Sequence, residues 1–242
     1  MILDRKKIIF LACSFLFLSS HIFSNQSGVK IKNTHGSIIL QLYQLAKDVH
    51  EIFVQNDIEY FMFAGTLLGA VRHRGIIPWD DDVDFVVFME DKERVLALKS
   101  ELERRGYETF EDSPDLFRIF PKNGKLLPSW GFKFPFLDVF FVLEEENGDI
   151  YRAIDRGWGV LYKLEELYPL QAYPFGEIML YGPRDPKGSL DRFLGDTWST
   201  IAFKRNHASH NYEVGPIKQE EMVPAQPTGP LQDRGAKINL LY

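Results

Sequence analysis

The sequence predicts an α+β fold, with helices packed on a sheet. Three observations carry that expectation: an apolar period near 3.6 over residues 37–58, two strongly apolar strand-like runs at 83–88 and 134–143, and a charged amphipathic stretch at 91–105. Hydrophobic residues make up 45 % and charged residues 26 % of the chain, a globular rather than a disordered or fibrous composition. Aromatics reach 14 %, with 20 Phe, so a core or a ligand cleft rich in rings is expected. The net charge of −6 argues against a nucleic-acid partner, because binders of that polyanion show a basic excess or stripe.

The chain opens on Arg5, Lys6 and Lys7, followed by an apolar run over 8–18 and then Ser19, Ser20 and His21. That is the pattern of a secretory signal, with a cleavage point after Ser24. A spanning helix needs roughly 20 apolar residues, which the stretch reaches only if 19–21 are tolerated. Residues 1–24 are therefore a cleaved signal peptide or an uncleaved signal-anchor, and only the second would touch a membrane. Either route implies a secreted or lumenal protein of the ER or Golgi, where Asn25-Gln26-Ser27 reads as a glycosylation acceptor. The only cysteine, Cys13, lies in this leader, so the folded part holds no disulfide and no Cys-ligated zinc. Residues 25–36 read as a linker, 37–205 as the folded domain, and 206–242 as a poorly ordered tail. That tail carries Pro216, Pro224, Pro227 and Pro230, and its His207 and His210 are expected to be solvated.

Within the domain, Ser37 is a candidate N-cap for an amphipathic helix reaching Ile58, followed by a short buried strand at 60–63. Gly65-Thr66 then forms a turn into a helix over 67–72. Glycine there lets the backbone approach a ligand, and the Thr66 hydroxyl and free N–H groups can bond phosphate oxygens; the same Gly can equally serve only a tight turn. Arg72, His73 and Arg74 follow and either contact phosphate or lie at the surface.

The carboxylate run decides between these readings. Asp80, Asp81, Asp82 and Asp84 repel one another, yet they abut Trp79 and the apolar strand 83–88. Strand alternation puts Asp80, Asp82 and Asp84 on one face and Asp81 on the other. Carboxylates at that spacing can share a hard divalent cation. An EF-hand is excluded, because Phe85 stands where its loop needs Gly and Asp91 where it needs Glu. Further on, 91–105 is a helix closed by Gly106, 107–111 and 115–120 are strands, and 134–143 is a strand with Asp138 at its centre. A carboxylate inside such a strand is costly unless paired or metal-bound, so Asp138 has either a cationic partner or a share in the site. A helix over 186–194 starts on Pro186, as proline prefers.

The segment AGTLLGAVRHRGIIPWDDDVD, residues 64–84, resembles the signature of the LicD/fukutin family, a branch of the nucleotidyltransferase-like fold. Phe136-Leu137-Asp138-Val139-Phe140 resembles its second acidic strand. Tyr168-Pro169-Leu170, Pro174-Phe175-Gly176 and Gly182-Pro183-x-Asp185-Pro186, with Leu190, Phe193-Leu194-Gly195 and Trp198, resemble its C-terminal part. The resemblance runs from about residue 42 to 198. It implies a mixed β-sheet core flanked by helices, and transfer of a phospho-alcohol (phosphocholine or ribitol phosphate) from a CDP-linked alcohol donor to a glycan hydroxyl. Asp80, Asp82 and Asp84 then match the acidic metal motif for Mg²⁺ or Mn²⁺; Asp138 matches the later acidic position, where it either completes the metal shell or accepts the proton; Gly65 and Thr66 match the turn near the donor phosphates, with Arg72 a candidate phosphate contact beside them. Asp82, Asp84 and Asp138 are the expected catalytic set. The chain departs from fukutin-related members in lacking zinc-type cysteines and a separate stem domain. A non-catalytic binder of the same fold and a nucleotidyl transferase are the competing readings; the intact acid set opposes the first, and the leader and acidic charge oppose the second.

Overall fold

The computed structural model describes residues 32–126, 130–205 and 212–234. The expected leader with Cys13, Asn25 and the pair His207 and His210 lie outside these. Helix α1 (Gly36–Gln55) turns Ile39, Leu42, Leu45, Val49, Ile52 and Phe53 into the core. Its N-cap is His35 rather than Ser37, the imidazole accepting the Ser37 N–H and taking the place of a hydroxyl cap. Strand β1 (Phe61–Met62) leads to helix α2 (Ala64–Leu68), which runs on as a π-helical turn over Gly69–His73 before strand β2 (Val83–Phe88). Helices α3 (Lys92–Ala97) and α4 (Lys99–Arg104) replace the single helix expected at 91–105. The break falls at Leu98, whose N–H bonds three residues back to Val95 rather than four.

Strands β3 (Tyr107–Ser113) and β4 (Leu116–Pro121) form a hairpin, followed by the small pair β5 (Lys125–Leu126) and β6 (Lys133–Phe134). Next come β7 (Leu137–Glu144), β8 (Asp149–Arg152), β9 (Tyr162–Lys163), helix α5 (Leu164–Leu167) and the hairpin β10 (Gln171–Phe175) and β11 (Ile178–Gly182). Helix α6 (Pro186–Leu194) carries Pro in its first turn and is capped by Asp185, which accepts the Lys187 N–H. Strands β12 (Ile201–Arg205) and β13 (Tyr212–Pro216) pair as a final hairpin.

The main sheet has the order β1-β2-β7-β4-β3, with β8 and β9 attached beyond β7. Among the described residues only β2 and β7 are parallel, so the sheet is mixed and the fold is α+β. Alternation gives it two different faces. Phe85 packs against Tyr60 (4.4 Å between centroids), which meets Phe53 of α1 (5.8 Å), so Val83, Phe85 and Val87 look toward the helix. The even-numbered residues of β2 and β7 look the other way, toward Trp158 and the α6 residue Phe193.

The expected poorly ordered tail is different over 212–234. That segment packs back on the domain: Ala225 N–H donates to Ile76 O (2.7 Å), Gln232 N–H to the Gln44 side chain (2.7 Å), and Arg234 reaches the fully buried Asp48 (3.2 Å). These are backbone and ionic contacts, which apolar periodicity does not reveal. Among the described residues no helix is long and apolar enough to cross a membrane.

Beneath β1, His50 is buried with its Nδ1 2.6 Å from the Tyr60 hydroxyl, and burial pushes it down to about 4. The unfolded chain takes up that proton near pH 6.5 while the folded chain resists until about 4, so stability falls as pH drops through this window. Between pH 7.5 and 5 the loss from this group is about 2 kcal/mol, at 1.36 kcal/mol per unit. Urea denaturation at the two pH values measures it, and His50→Gln is expected to flatten the difference.

Candidate active site

The candidate site is a row of charged residues across one face of the sheet. In the parallel β2–β7 pair Asp84 stands opposite Asp138, and in the antiparallel β7–β4 pair Asp138 stands opposite Arg118. Cross-strand partners share a face, so Asp84, Asp138 and Arg118 lie side by side, with Asp82 two residues before Asp84. Arg118 holds Asp138 through two bonds, Nε to Oδ1 at 2.8 Å and Nη2 to Oδ2 at 3.3 Å, and reaches Asp112 with Nη1 at 3.0 Å. Its guanidinium also lies 4.2 Å from the Phe132 ring centre and 5.4 Å from that of Phe136. Asp138 therefore does have a cationic partner. Burial nevertheless wins over Arg118, and with added repulsion from Asp82 and Asp112 it raises the Asp138 carboxyl to about 6.

Just before β2, the chain is irregular rather than extended. Carboxylate oxygens of Asp80, Asp81 and Asp82 come within 4.8 Å of one another, the one group of three potential metal ligands of this kind among the described residues. Asp81 was expected to point away; it is instead fully buried and belongs to the cluster. Strand alternation misled here because it begins only at Val83. Asp84 lies outside that group and faces Asp138 instead. Hard carboxylate oxygens so grouped fit Mg²⁺ or Mn²⁺ in donor chemistry.

Gly65 and Thr66 take different parts from those expected. The strand-to-helix bend is made at Ala64, which sits at φ 45°, and both residues lie inside α2. Thr66 is buried, and its Oγ1 accepts the Asp84 N–H at 2.8 Å, so the hydroxyl fixes the start of the acid strand. Gly65 makes room for Asp80: a Cβ there would stand 2.9 Å from Asp80 Oδ2. Gly65→Ala is expected to displace Asp80 while leaving the melting temperature level or slightly higher, since Ala is favoured in a helix by about 1 kcal/mol. Mn²⁺ titration and thermal melting of that variant check the pair of outcomes.

Arg72 is tied down rather than open. Its Nη1 donates to Trp198 O (2.5 Å) and Ile201 O (3.4 Å), and its Nε to His73 Nδ1 (3.3 Å). Burial pushes it down to about 10 against the pull of Asp80, so its charge offsets that carboxylate. Burial and the Arg72 charge together push His73 down to about 4, leaving it neutral. Aromatic groups flank the row. On one side Phe63, Phe140, Trp158 and Phe193 pack with centroids 4.8–6.2 Å apart; on the other are Phe120, Phe132 and Phe136. A separate cavity of about 400 Å³ under the C-terminal segment includes none of the acids, and its Arg105 and Arg234 pair with Glu51 and Asp48.

The comparisons with known proteins bear on this geometry. Residues 57–185 match the family model described as LicD/FKTN/FKRP, nucleotidyltransferase domain. The chain belongs to the LicD/FKTN/FKRP family. An uncharacterized protein of Rickettsia prowazekii is 36 % identical over 223 residues, covering 87 % of this chain and 78 % of that one. The lipopolysaccharide cholinephosphotransferase LicD of Haemophilus influenzae is 32 % identical over 99 residues, 38 % of this chain and 37 % of LicD. The ribitol 5-phosphate transferase FKRP of Mus musculus is 28 % identical over 163 residues, 64 % of this chain and 31 % of FKRP. The match thus spans roughly a third of the length of each named transferase. Both the acid loop and the Asp138 strand fall inside the LicD-type match, whereas α6, β12, β13 and the C-terminal segment lie beyond it.

Sequence patterns misplace one participant, miss a second and leave the contacts of a third unseen. Asp81 was placed on the wrong face. Arg118 carried a signal, a lone cation alternating with apolar residues in Leu116-Phe117-Arg118-Ile119-Phe120, but its pairing with Asp138 is long-range. The contacts of Arg72 to residues 198 and 201 left no trace in local sequence.

Proposed function

We propose that this LicD-type domain transfers a phospho-alcohol from a CDP-linked donor to a glycan hydroxyl. The observation that carries the reading is the acid row at the starts of the two parallel strands, Asp82 and Asp84 beside Asp138. In the transfer, the acceptor oxygen bonds to the donor's β-phosphorus as the bond to CMP breaks, its electrons leaving with CMP. The hydroxyl proton must go to a base. Asp138, raised toward neutrality and oriented by Arg118, has the basicity for that task near pH 6–7. A bound Mg²⁺ or Mn²⁺ would supply charge neutralisation at the donor phosphates, with Asp80, Asp81, Asp82 and Asp84 as the residues to hold it. Thr66 keeps Asp84 in place, and Arg72 moderates the repulsion at Asp80.

The transferase names of LicD and FKRP support the reaction class. The leader pattern of residues 1–24 supports an acceptor met in the secretory route, on the lumenal or outer side of a membrane. Calorimetric titration of CDP-choline, CDP-ribitol, CDP-glycerol and CDP-ethanolamine in the presence of Mn²⁺ tests the reading. One of the four is expected to bind selectively, and binding of none would contradict it.

A further inference from the structure

We infer that the C-terminal segments 198–205 and 212–225 form a clasp that holds the acid loop in shape, with Lys204 as its positioning residue; this rests on the cation site proposed above. The matched family region ends at residue 185, yet the chain beyond it returns to the residues that directly precede Asp80. Arg72 is held by Trp198 O, Ala225 N–H donates to Ile76 O at 2.7 Å, and Pro224 lies against Gly75, where a Cβ would come 2.7 Å from it. Lys204 Nζ sits 4.7 Å from the centre of the Trp79 ring and forms an ion pair with Glu221. Trp79 is itself buried, edge-on to His73 at 5.8 Å, and is bonded directly to Asp80.

The pattern of β12 is the telling feature. Lys204 points inward with its side chain 8 % exposed, while its neighbour Phe203 is 51 % exposed. Burying an ammonium is costly unless it is paired, and an apolar residue would fill an inward position at lower cost. The inversion is accounted for if the cation grips Trp79. A loop carrying four carboxylates in five positions tends to spread, and an anchored indole at its root opposes that. Lys204 does not reach the acids in this account; it acts through Trp79.

The test compares Lys204→Met, which keeps the stem and removes the charge, with Lys204→Arg, which keeps the charge and the ring contact. Two readouts are needed: Mn²⁺ affinity by calorimetry, and amide hydrogen exchange at 79–82 in metal-free protein. Lys204→Met is expected to weaken Mn²⁺ by about tenfold, as supporting residues behind metal ligands do. It should also speed exchange at 79–82 while the sheet keeps its protection, and Lys204→Arg should restore both. Unchanged exchange in Lys204→Met would overturn the clasp. So would a general loss of protection through the sheet that Lys204→Arg does not restore. Should the parent protein take up no Mn²⁺, the cation reading falls and exchange at 79–82 alone decides the clasp.

Discussion

Asp84→Asn is expected to reduce transfer by about a thousandfold or more, the scale set by removing one preorganised charge-stabilising group, with no loss of fold. The amide keeps the shape of the carboxylate, and the Asp84 N–H remains bonded to Thr66 Oγ1 because that contact uses the backbone. Asp84 lies in register with Asp138, and the amide fills the same space, so the melting temperature is expected to stay close to the parent's. Turnover is followed as CMP release, and stability by calorimetric melting. Retained turnover would remove Asp84 from the chemistry. Lost turnover accompanied by a large fall in melting temperature would make it a structural residue.

Arg118→Met should have the largest effect on stability. It leaves the Asp138 carboxylate buried without its two guanidinium bonds, and breaking a buried pair from one side costs about 3–5 kcal/mol. The methionine stem replaces much of the packing against Phe132, which isolates the electrostatic part. The loss has a definite pH dependence. Asp138 ionises at about 6 in the parent and must ionise higher once Arg118 is gone, since Arg118 is what lowers it. Below pH 6 the carboxyl is neutral in both proteins, so the penalty should shrink toward pH 5 and grow as the pH rises to 8. Denaturant melts of the parent and variant at those two values check this, and an equal penalty at both would show that packing, not charge, is the cause.

The parts legible in the sequence were those governed by local pattern. Helix α1 followed from its 3.6 period, β2 and β7 from their apolar runs, and the α6 start from Pro186. Asp138 stood out because a carboxylate in an apolar strand demands an explanation. Other features depend on contacts distant in sequence. Nothing local pairs Arg118 with Asp138 or sends Thr66 Oγ1 to the Asp84 amide, and the helix that carries Thr66 starts earlier than its glycine suggested. Asp81 was misplaced because a two-residue period was applied to a stretch that is not yet strand. Residues 212–234 resembled a tail since their attachment is through backbone amides, Gln44 and Arg234 rather than through an apolar stripe.

The carboxylates at the start of β2 are expected to hold a divalent cation for the donor phosphates. The most direct measurement is Mn²⁺ binding by electron paramagnetic resonance, in the parent protein and in the Asp82→Asn/Asp84→Asn double variant. Saturable Mn²⁺ binding is expected in the parent, strengthened by the cognate CDP-alcohol, with both effects lost in the folded double variant. Equal Mn²⁺ binding by the two proteins would contradict it.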